Sequence, residues 1–348
     1  MKKRILSLAL IAVVSLSMIG CGTDAKTDDA SKEAVESVSE EVADIPEGSE
    51  DKVKTEDASQ ETYKVAYFPN TMNNTFQVCI DETLKNGCEK FGWEYTCYDS
   101  DYDLNTQLNQ MADAVTVGYD AVIVIPVDSA GIRDGLQNFK DAGIKIVNID
   151  TAVADEDMEF IDLFITTDCY KAGVLLGQQC VADYPDGAKI AILDTPWNES
   201  ACDRVNGFME GLGTDPKYEI VAQQDGESAL DASMKCAEDI ITANPDIDVF
   251  FCVNGPSGLG VSSAAAAAGY QNGDIAIYCV DASPDDKAAF LDGQLKCLAA
   301  QVPIQEAEKA LELLPKLLNG ESLDETEIYL DSHIVSKEEA EATVDSWQ

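Results

Sequence analysis

The chain has 348 residues, 45% apolar and 25% charged, with a formal net charge of −42. This composition supports a sizeable core spread over about two domains. It argues against nucleic-acid binding, because a phosphate backbone repels so acidic a surface.

Lys2, Lys3 and Arg4 precede an apolar run, Ile5 to Met18, broken only by Ser7, Ser15 and Ser17. That is the layout of a secretory signal over residues 1–20. The run is too short for a secure transmembrane helix, which needs about 20 apolar residues. Met18-Ile19-Gly20-Cys21 resembles a bacterial lipoprotein signal, which implies that Cys21 becomes the acylated N-terminus. Residues 21–62 then read as an acidic linker. Rich in Asp, Glu, Ser, Ala and Lys and free of aromatics, it cannot bury enough surface to order itself. A marginal helix is conceivable around Lys32 to Val42.

From Tyr63 the pattern alternates. Strands are expected at Tyr63–Phe68, Trp93–Tyr98, Ala121–Ile125, Ile144–Ile149 and Phe160–Ile165, with helices at Thr75–Phe91, Leu104–Val117 and Ala130–Ala142 between them. The plan then repeats. Helices are expected at Cys169–Asp183, Ala201–Leu212, Leu230–Ala243, Ser257–Ala268, Lys287–Leu291 and Ile304–Leu318. Strands are expected at Ala188–Leu193, Glu219–Gln223, Val249–Val253, Ile275–Val280, Leu295–Gln301 and Glu327–Val335, with an acidic helix last. This alternation predicts an α/β protein with parallel sheets covered on both faces. Its repetition predicts two similar lobes, and ligands of such sheets sit at the carboxyl ends of strands. Two facing lobes would share one cleft and close about a hinge.

The only histidine is His333, and there is no Cys-x-x-Cys. Triad, Cys–His and His-rich zinc arrangements are therefore hard to build, no metal or other cofactor is expected, and an enzyme is disfavoured. Asp99-Ser100-Asp101-Tyr102-Asp103-Leu104-Asn105 looks like a calcium loop but lacks glycine at its sixth position and ends at Gln110, not a bidentate Glu. It reads as a polar strand-to-helix loop. Gly255-Pro256-Ser257-Gly258-Leu259-Gly260 lacks the lysine of a phosphate loop and reads as close packing at a helix start. Of the eleven cysteines, Cys252 and Cys279 fall in strand-like runs and Cys79, Cys88, Cys180 and Cys236 in helix-like runs; apart from Cys21 they are expected to be free, mostly buried thiols, with one or two disulfides as the alternative.

Planar polar side chains follow successive strands: Asn73 and Asn74, Asp128, Asp150, Asn254, Asp281 and Gln301. Each alone is ordinary turn chemistry. Together, at one end of parallel strands, they would grip the hydroxyls of a polyol, with Phe76 or Trp197 covering its apolar face.

At these residues the chain resembles the periplasmic sugar-binding proteins of the ribose- and galactose-binding type. Asn73-Asn74-Thr75-Phe76, Ile125-Pro126-Val127-Asp128-Ser129, Asn148-Ile149-Asp150 and Ala201-Cys202-Asp203-Arg204-Val205-Asn206-Gly207-Phe208 resemble segments of that family in order. So do Val253-Asn254, Val280-Asp281-Ala282-Ser283-Pro284 and Ala300-Gln301-Val302-Pro303. The resemblance implies two Rossmann-like lobes joined by a multi-strand hinge. Lobe 1 would hold about 63–165 plus 282–303, lobe 2 about 166–281 plus 304–335, followed by an acidic tail. It implies ligand contacts from Asn74, Phe76, Asp150, Trp197, Arg204, Asn254, Asp281 and Gln301. It also implies capture of a monosaccharide or related small polar ligand and delivery to an ABC transporter permease, by a monomer bound to the membrane only through its lipid. A sensory receptor of the same fold is the alternative. Departures from the pattern are Thr151 after Asp150 in place of an arginine, Gln77 in place of an aromatic, and Ser228 where an aromatic is expected. The ligand arginine of the second lobe falls at Cys202 or Arg204, depending on where a gap is placed.

Overall fold

The structure, a computed structural model, describes residues 62–347. The signal segment, Cys21, the linker as far as residue 61 and the stretch Lys32–Val42 lie outside the described residues.

The first run of elements is β1 (Lys64–Phe68), α1 (Thr75–Phe91), β2 (Glu94–Cys97), α2 (Leu104–Val117), β3 (Ala121–Val124), α3 (Arg133–Asp141), β4 (Lys145–Ile149), a 3-10 turn (Asp155–Phe160) and β5 (Leu163–Thr167). The second is α4 (Cys169–Asp183), β6 (Ala188–Asp194), α5 (Glu199–Leu212), β7 (Tyr218–Asp225), α6 (Leu230–Ala243), β8 (Val249–Cys252), α7 (Gly255–Ala267), β9 (Ala276–Asp281), α8 (Pro284–Leu291) and β10 (Cys297–Ala300). The chain ends with α9 (Pro303–Leu318), β11 (Glu327–Leu330) and α10 (Lys337–Ala342). Helix α3 starts later than Ala130 because Asp128 accepts from the Ala130 and Gly131 amides and holds a turn there.

Two all-parallel sheets result, with strand orders β11-β5-β4-β3-β1-β2 and β10-β9-β8-β6-β7. Period-two alternation feeds two cores per sheet. Val65, Tyr67 and Ile123 point toward α1 and α9, while Ala66, Phe68, Val122 and Val124 point toward α2 and α3. In the second sheet Leu193, Phe250 and Cys279 meet α6 and α7, while Ile192, Phe251 and Tyr278 meet α4 and α5. Ile80 and Leu84 of α1 are fully buried, each contributing about 1.5–3 kcal/mol. The ten cysteines among the described residues are all free thiols. Among the described residues no helix is long and apolar enough to cross a membrane.

The lobe boundaries expected near the C-terminus are corrected. Strand β10 pairs in parallel with β9, so residues 282–300 stay in the second lobe, α8 making the crossover. The chain crosses after Gln301. Helix α9 packs Ala307, Ala310 and Leu314 into the first sheet's core, and β11 pairs with β5. It then crosses back: Ile334 bridges Ala299, and Val335 and Ala340 join the second sheet's core. Apolar periodicity reports that a strand is buried but not which sheet receives it.

Three segments therefore connect the lobes, near Asp168, Val302 and Asp331. Glu306, buried in the first turn of α9, ties two of them together. Its Oε1 accepts from the Thr167 amide (2.8 Å) and hydroxyl (2.6 Å), and the Val302 amide donates to the same hydroxyl oxygen (3.1 Å).

Candidate ligand-binding cleft

Parallel strands deliver their carboxyl ends to one side, and the two sheets turn those sides toward each other. Between them lies a cavity of about 40 Å³. All eight residues singled out from the sequence line it: Asn74, Phe76, Asp150, Trp197, Arg204, Asn254, Asp281 and Gln301. They are brought together from both lobes and from the crossing after β10.

Their roles within the protein differ. Asn74 caps α1, its Oδ1 accepting from the Phe76 amide (2.9 Å). Asn254 caps α7 by accepting from the Ser257 amide (3.0 Å) and donates to the Ser228 carbonyl (3.0 Å), so both ends of its amide are engaged. Asp281 accepts from the Gly255 amide (2.9 Å) and from Gln301 Nε2 (2.6 Å). Arg204 Nη1 lies 3.7 Å from the same carboxylate. Asp150 and Asp281 both hold left-handed backbone, with φ of 62° and 116°. Such conformations in non-glycine residues are strained and are found most often where a site demands them.

Arg204, not Cys202, faces the cleft. Cys202 turns toward the Pro196 carbonyl, whereas Arg204 is buried and donates to the Val253 carbonyl (2.8 Å) and to Cys169 Sγ (3.4 Å). Close helix packing sets this reach. A Cβ at Gly173 of α4 would sit 2.1 Å from the Arg204 carbonyl oxygen, and one at Gly207 of α5 would sit 2.0 Å from that of Tyr170. Only glycine lets the two helices approach so closely.

Sequence reasoning did not single out Asn70, Tyr102, Asn198 and Ser200, which also line the cleft. Asn198 caps α5 and donates across the cleft to Thr151 Oγ1 (3.3 Å), and Ser200 donates to the Asp150 carbonyl (3.4 Å). Tyr102 leaves the Asp99–Asp103 loop with a φ of 58°. That loop is occupied by its own bonds: Asp99 accepts from the Met72 and Asp101 amides, Asp101 accepts from Asn73, and Asp103 caps α2. Asn73 is thereby committed to Asp101. The glycine-rich start of α7 is a packing device, since a Cβ at Gly260 would lie 2.5 Å from the Leu230 carbonyl oxygen. His333 pairs with Glu339 at the surface (2.6 Å).

The cleft is electrostatically unusual. Burial pushes the Asp150 carboxyl up to about 6; Arg204 pulls it back and Asp281 pushes it further. Burial also raises Asp281, against Arg204 and its two hydrogen bonds. Burial alone would lower Arg204, but Cys169, Asp281 and Asp150 reverse this and hold its proton firmly. Behind the cleft, burial and the Asp281 charge push Asp286 up to about 8. Burial and Asp150 raise Glu306 well above the usual carboxylate range. Several buried polar atoms of the lining lack a protein partner: Asp150 Oδ1, Gln301 Oε1, Asn70 Oδ1 and Arg204 Nε. A buried polar atom left unpaired costs about 1–3 kcal/mol, so these positions favour a polar guest.

The C-terminal segment closes one flank. Buried Lys287 of α8 donates to the Thr343 carbonyl and hydroxyl and to the Ser346 carbonyl, holding the segment on the second lobe. From there Trp347 reaches the first lobe and meets Phe76 edge-on, ring centroids 5.4 Å apart.

Residues 65–322 match the family model described as a periplasmic binding protein domain. The ribose import binding protein of Salmonella typhimurium is 25% identical over 260 residues, 74% of this chain and 86% of that protein. The ribose import binding protein of Bacillus subtilis is 24% identical, over 77% of this chain and 86% of that one. A crystal structure from Mycobacterium smegmatis in complex with β-D-fucofuranose superposes with a TM-score of 0.76 at 26% identity, covering 81% of this chain and 93% of the other. The Caulobacter myo-inositol binding protein shares the fold with a TM-score of 0.75 at 22% identity, over 80% and 95% of the two chains. The chain belongs to the periplasmic binding protein family, with the two parallel-sheet lobes of its type 1 fold.

Proposed function

We propose that this protein is an extracytoplasmic solute-binding lipoprotein of an ABC transporter, which takes one monosaccharide or related small polyol into its cleft and presents it to a permease. The observation that carries this reading is the convergence of Asp150, Arg204, Gln301 and Asn70 from two lobes with polar atoms left unpaired. Hydroxyl groups donate and accept, and so can satisfy both kinds. Phe76 and Trp197 offer apolar faces for the C–H side of a ring. The relatives named above are binding proteins for ribose and myo-inositol, which fits this class of ligand. Capture without turnover is supported by the relatives, which are binding proteins. Anchoring at Cys21 and the acidic tether to residue 62 would hold the lobes near the permease.

A thermal-shift screen against monosaccharides and cyclic polyols tests the ligand class, since a guest of the native state raises its melting point. At least one should raise it in a saturable manner, and no shift with any of them would refute the reading. Cys21→Ala should move the protein out of the membrane fraction; retention there would refute the anchor.

A further inference from the structure

We propose that the cleft selects a guest bearing a positively charged amino group beside its hydroxyls, an amino sugar or aminated cyclic polyol, with the ammonium seated on Asp150. This rests on the cleft being a carbohydrate site.

The charged residues lining the cavity are Asp150, Asp281 and Arg204, two acids and one base. The base is committed. Arg204 pairs with Asp281 and bonds Val253 and Cys169, and Asp281 receives two further donors from Gly255 and Gln301. Asp150 is left over. It is 6% exposed, its Oδ2 receives the Thr151 hydroxyl (3.2 Å), the Gln77 side chain stands beside the carboxylate and helps to hold it charged, and its Oδ1 has no hydrogen-bond partner. Among the described residues no cation lies within 4.0 Å of its carboxylate; Arg204 acts on it from farther away, and the next residue is Thr151. The groups facing Asp150 electrostatically are Arg204 of α5, Asp281 of β9, Glu306 of α9, Cys169 of α4, Tyr67 of β1 and Tyr102. Tyr67, Tyr102 and Cys169 are neutral at pH 7, since burial raises all three, so the groups that can carry charge here are Arg204, Asp281 and Glu306, the last with its pKa raised by burial and by Asp150.

The unpaired atoms point the same way. Gln301 is oriented by its donation to Asp281, which leaves Oε1 as an acceptor. Asp150 Oδ1 and Asn70 Oδ1 are acceptors too, against the single donor Arg204 Nε. Among the fully buried unpaired atoms of the lining, acceptors outnumber donors three to one, which favours a guest rich in donors. A neutral hydroxyl brings one donor, whereas an ammonium brings three and no acceptor. A neutral guest would leave the buried Asp150 carboxylate with no counter-charge beyond Arg204, which is already shared with Asp281, so an ammonium is favoured there.

The test is calorimetric titration of the full-length protein at pH 7 with matched probes: D-glucose, D-galactose and D-mannose, their 2-amino forms, and the N-acetylated amines. In at least one series the amine should bind about tenfold tighter or more than both neutral partners. That margin should shrink at pH 5, where Asp150 is protonated, and in Asp150→Asn. The pH series on the unaltered protein decides the matter if the variant fails to fold. A neutral sugar that binds as tightly as its amine, or a margin indifferent to both changes, overturns the amine and leaves the carbohydrate reading standing. Failure of every amine at pH 7 overturns the amine, while the carbohydrate reading is decided separately by the thermal-shift screen.

Discussion

The two walls of the cleft are built differently. The second-lobe wall is interlocked: Asp281 gathers Gly255, Gln301 and Arg204, and Asn254 spends both ends of its amide on Ser257 and Ser228. The first-lobe wall is open. Asp150 holds the Thr151 hydroxyl with the Gln77 side chain beside it, and Asn70 keeps an unpaired oxygen. Each wall leaves two buried atoms unpaired, but Gln301 and Arg204 on the second are already fixed by other bonds, whereas Asp150 and Asn70 on the first are held by fewer. On the proposed reading, the contrast would assign framework to the second lobe and selection to the first.

The largest test of that contrast is Asp281→Ala. It removes the counter-charge of a buried guanidinium and the acceptor of two donors, and should destabilise by about 3–5 kcal/mol in urea denaturation. Asp150→Asn, on the open wall, should leave stability unchanged or raised. Equal losses at the two positions would erase the distinction.

Next in size is a pH effect on the unliganded protein. The buried carboxyls of Asp150, Asp281, Asp286 and Glu306 all have raised pKa values. The native state therefore binds more protons than the unfolded chain between the ordinary carboxylate range and about 8. Stability consequently falls as pH rises through that window and is recovered on acidification. The melting temperature should climb by roughly 5 °C from pH 8 to pH 5.5, equivalent to about 2 kcal/mol. A bound cation on Asp150 should flatten the slope.

Asn254→Ala should cost about 1 kcal/mol of stability through loss of the α7 cap, with affinity changed less than about threefold. A large loss of affinity would make Asn254 a ligand contact and move part of selection to the second lobe. The smallest effect is expected for Trp347→Leu. Losing an edge-on aromatic pair is worth about 0.5–1.5 kcal/mol, seen as a modest rise in ligand dissociation rate in stopped flow.

Much of this was legible in the sequence, for reasons that differ by residue. Asp150, Asn254, Asp281 and Gln301 each follow an apolar strand, and parallel strands present their carboxyl ends together, so chain order alone predicted that they meet. Helices such as α1 and α4 carry both a capping residue and a periodic apolar face, which fixed their ends. Tyr102 was hidden because its place depends on two successive left-handed residues, Asp101 and Tyr102, in a loop whose acids suggested something else. The choice between Cys202 and Arg204 depended on the rotation of α5, set by glycine contacts with α4 far apart in sequence. The C-terminal crossings were misplaced because a buried strand looks alike whichever sheet accepts it.

The Lys287-held tail carries a practical consequence. The three tryptophans occupy separate settings: Trp93 against Phe91 and Tyr63, Trp197 at the cavity rim, and Trp347 spanning from one lobe to Phe76 on the other. Parting the lobes must either slide the Trp347 indole off its phenyl neighbour or peel the tail from Lys287. With Trp93 and Trp197 replaced by phenylalanine, the emission of the remaining indole becomes a built-in optical gauge of opening, needing no attached dye.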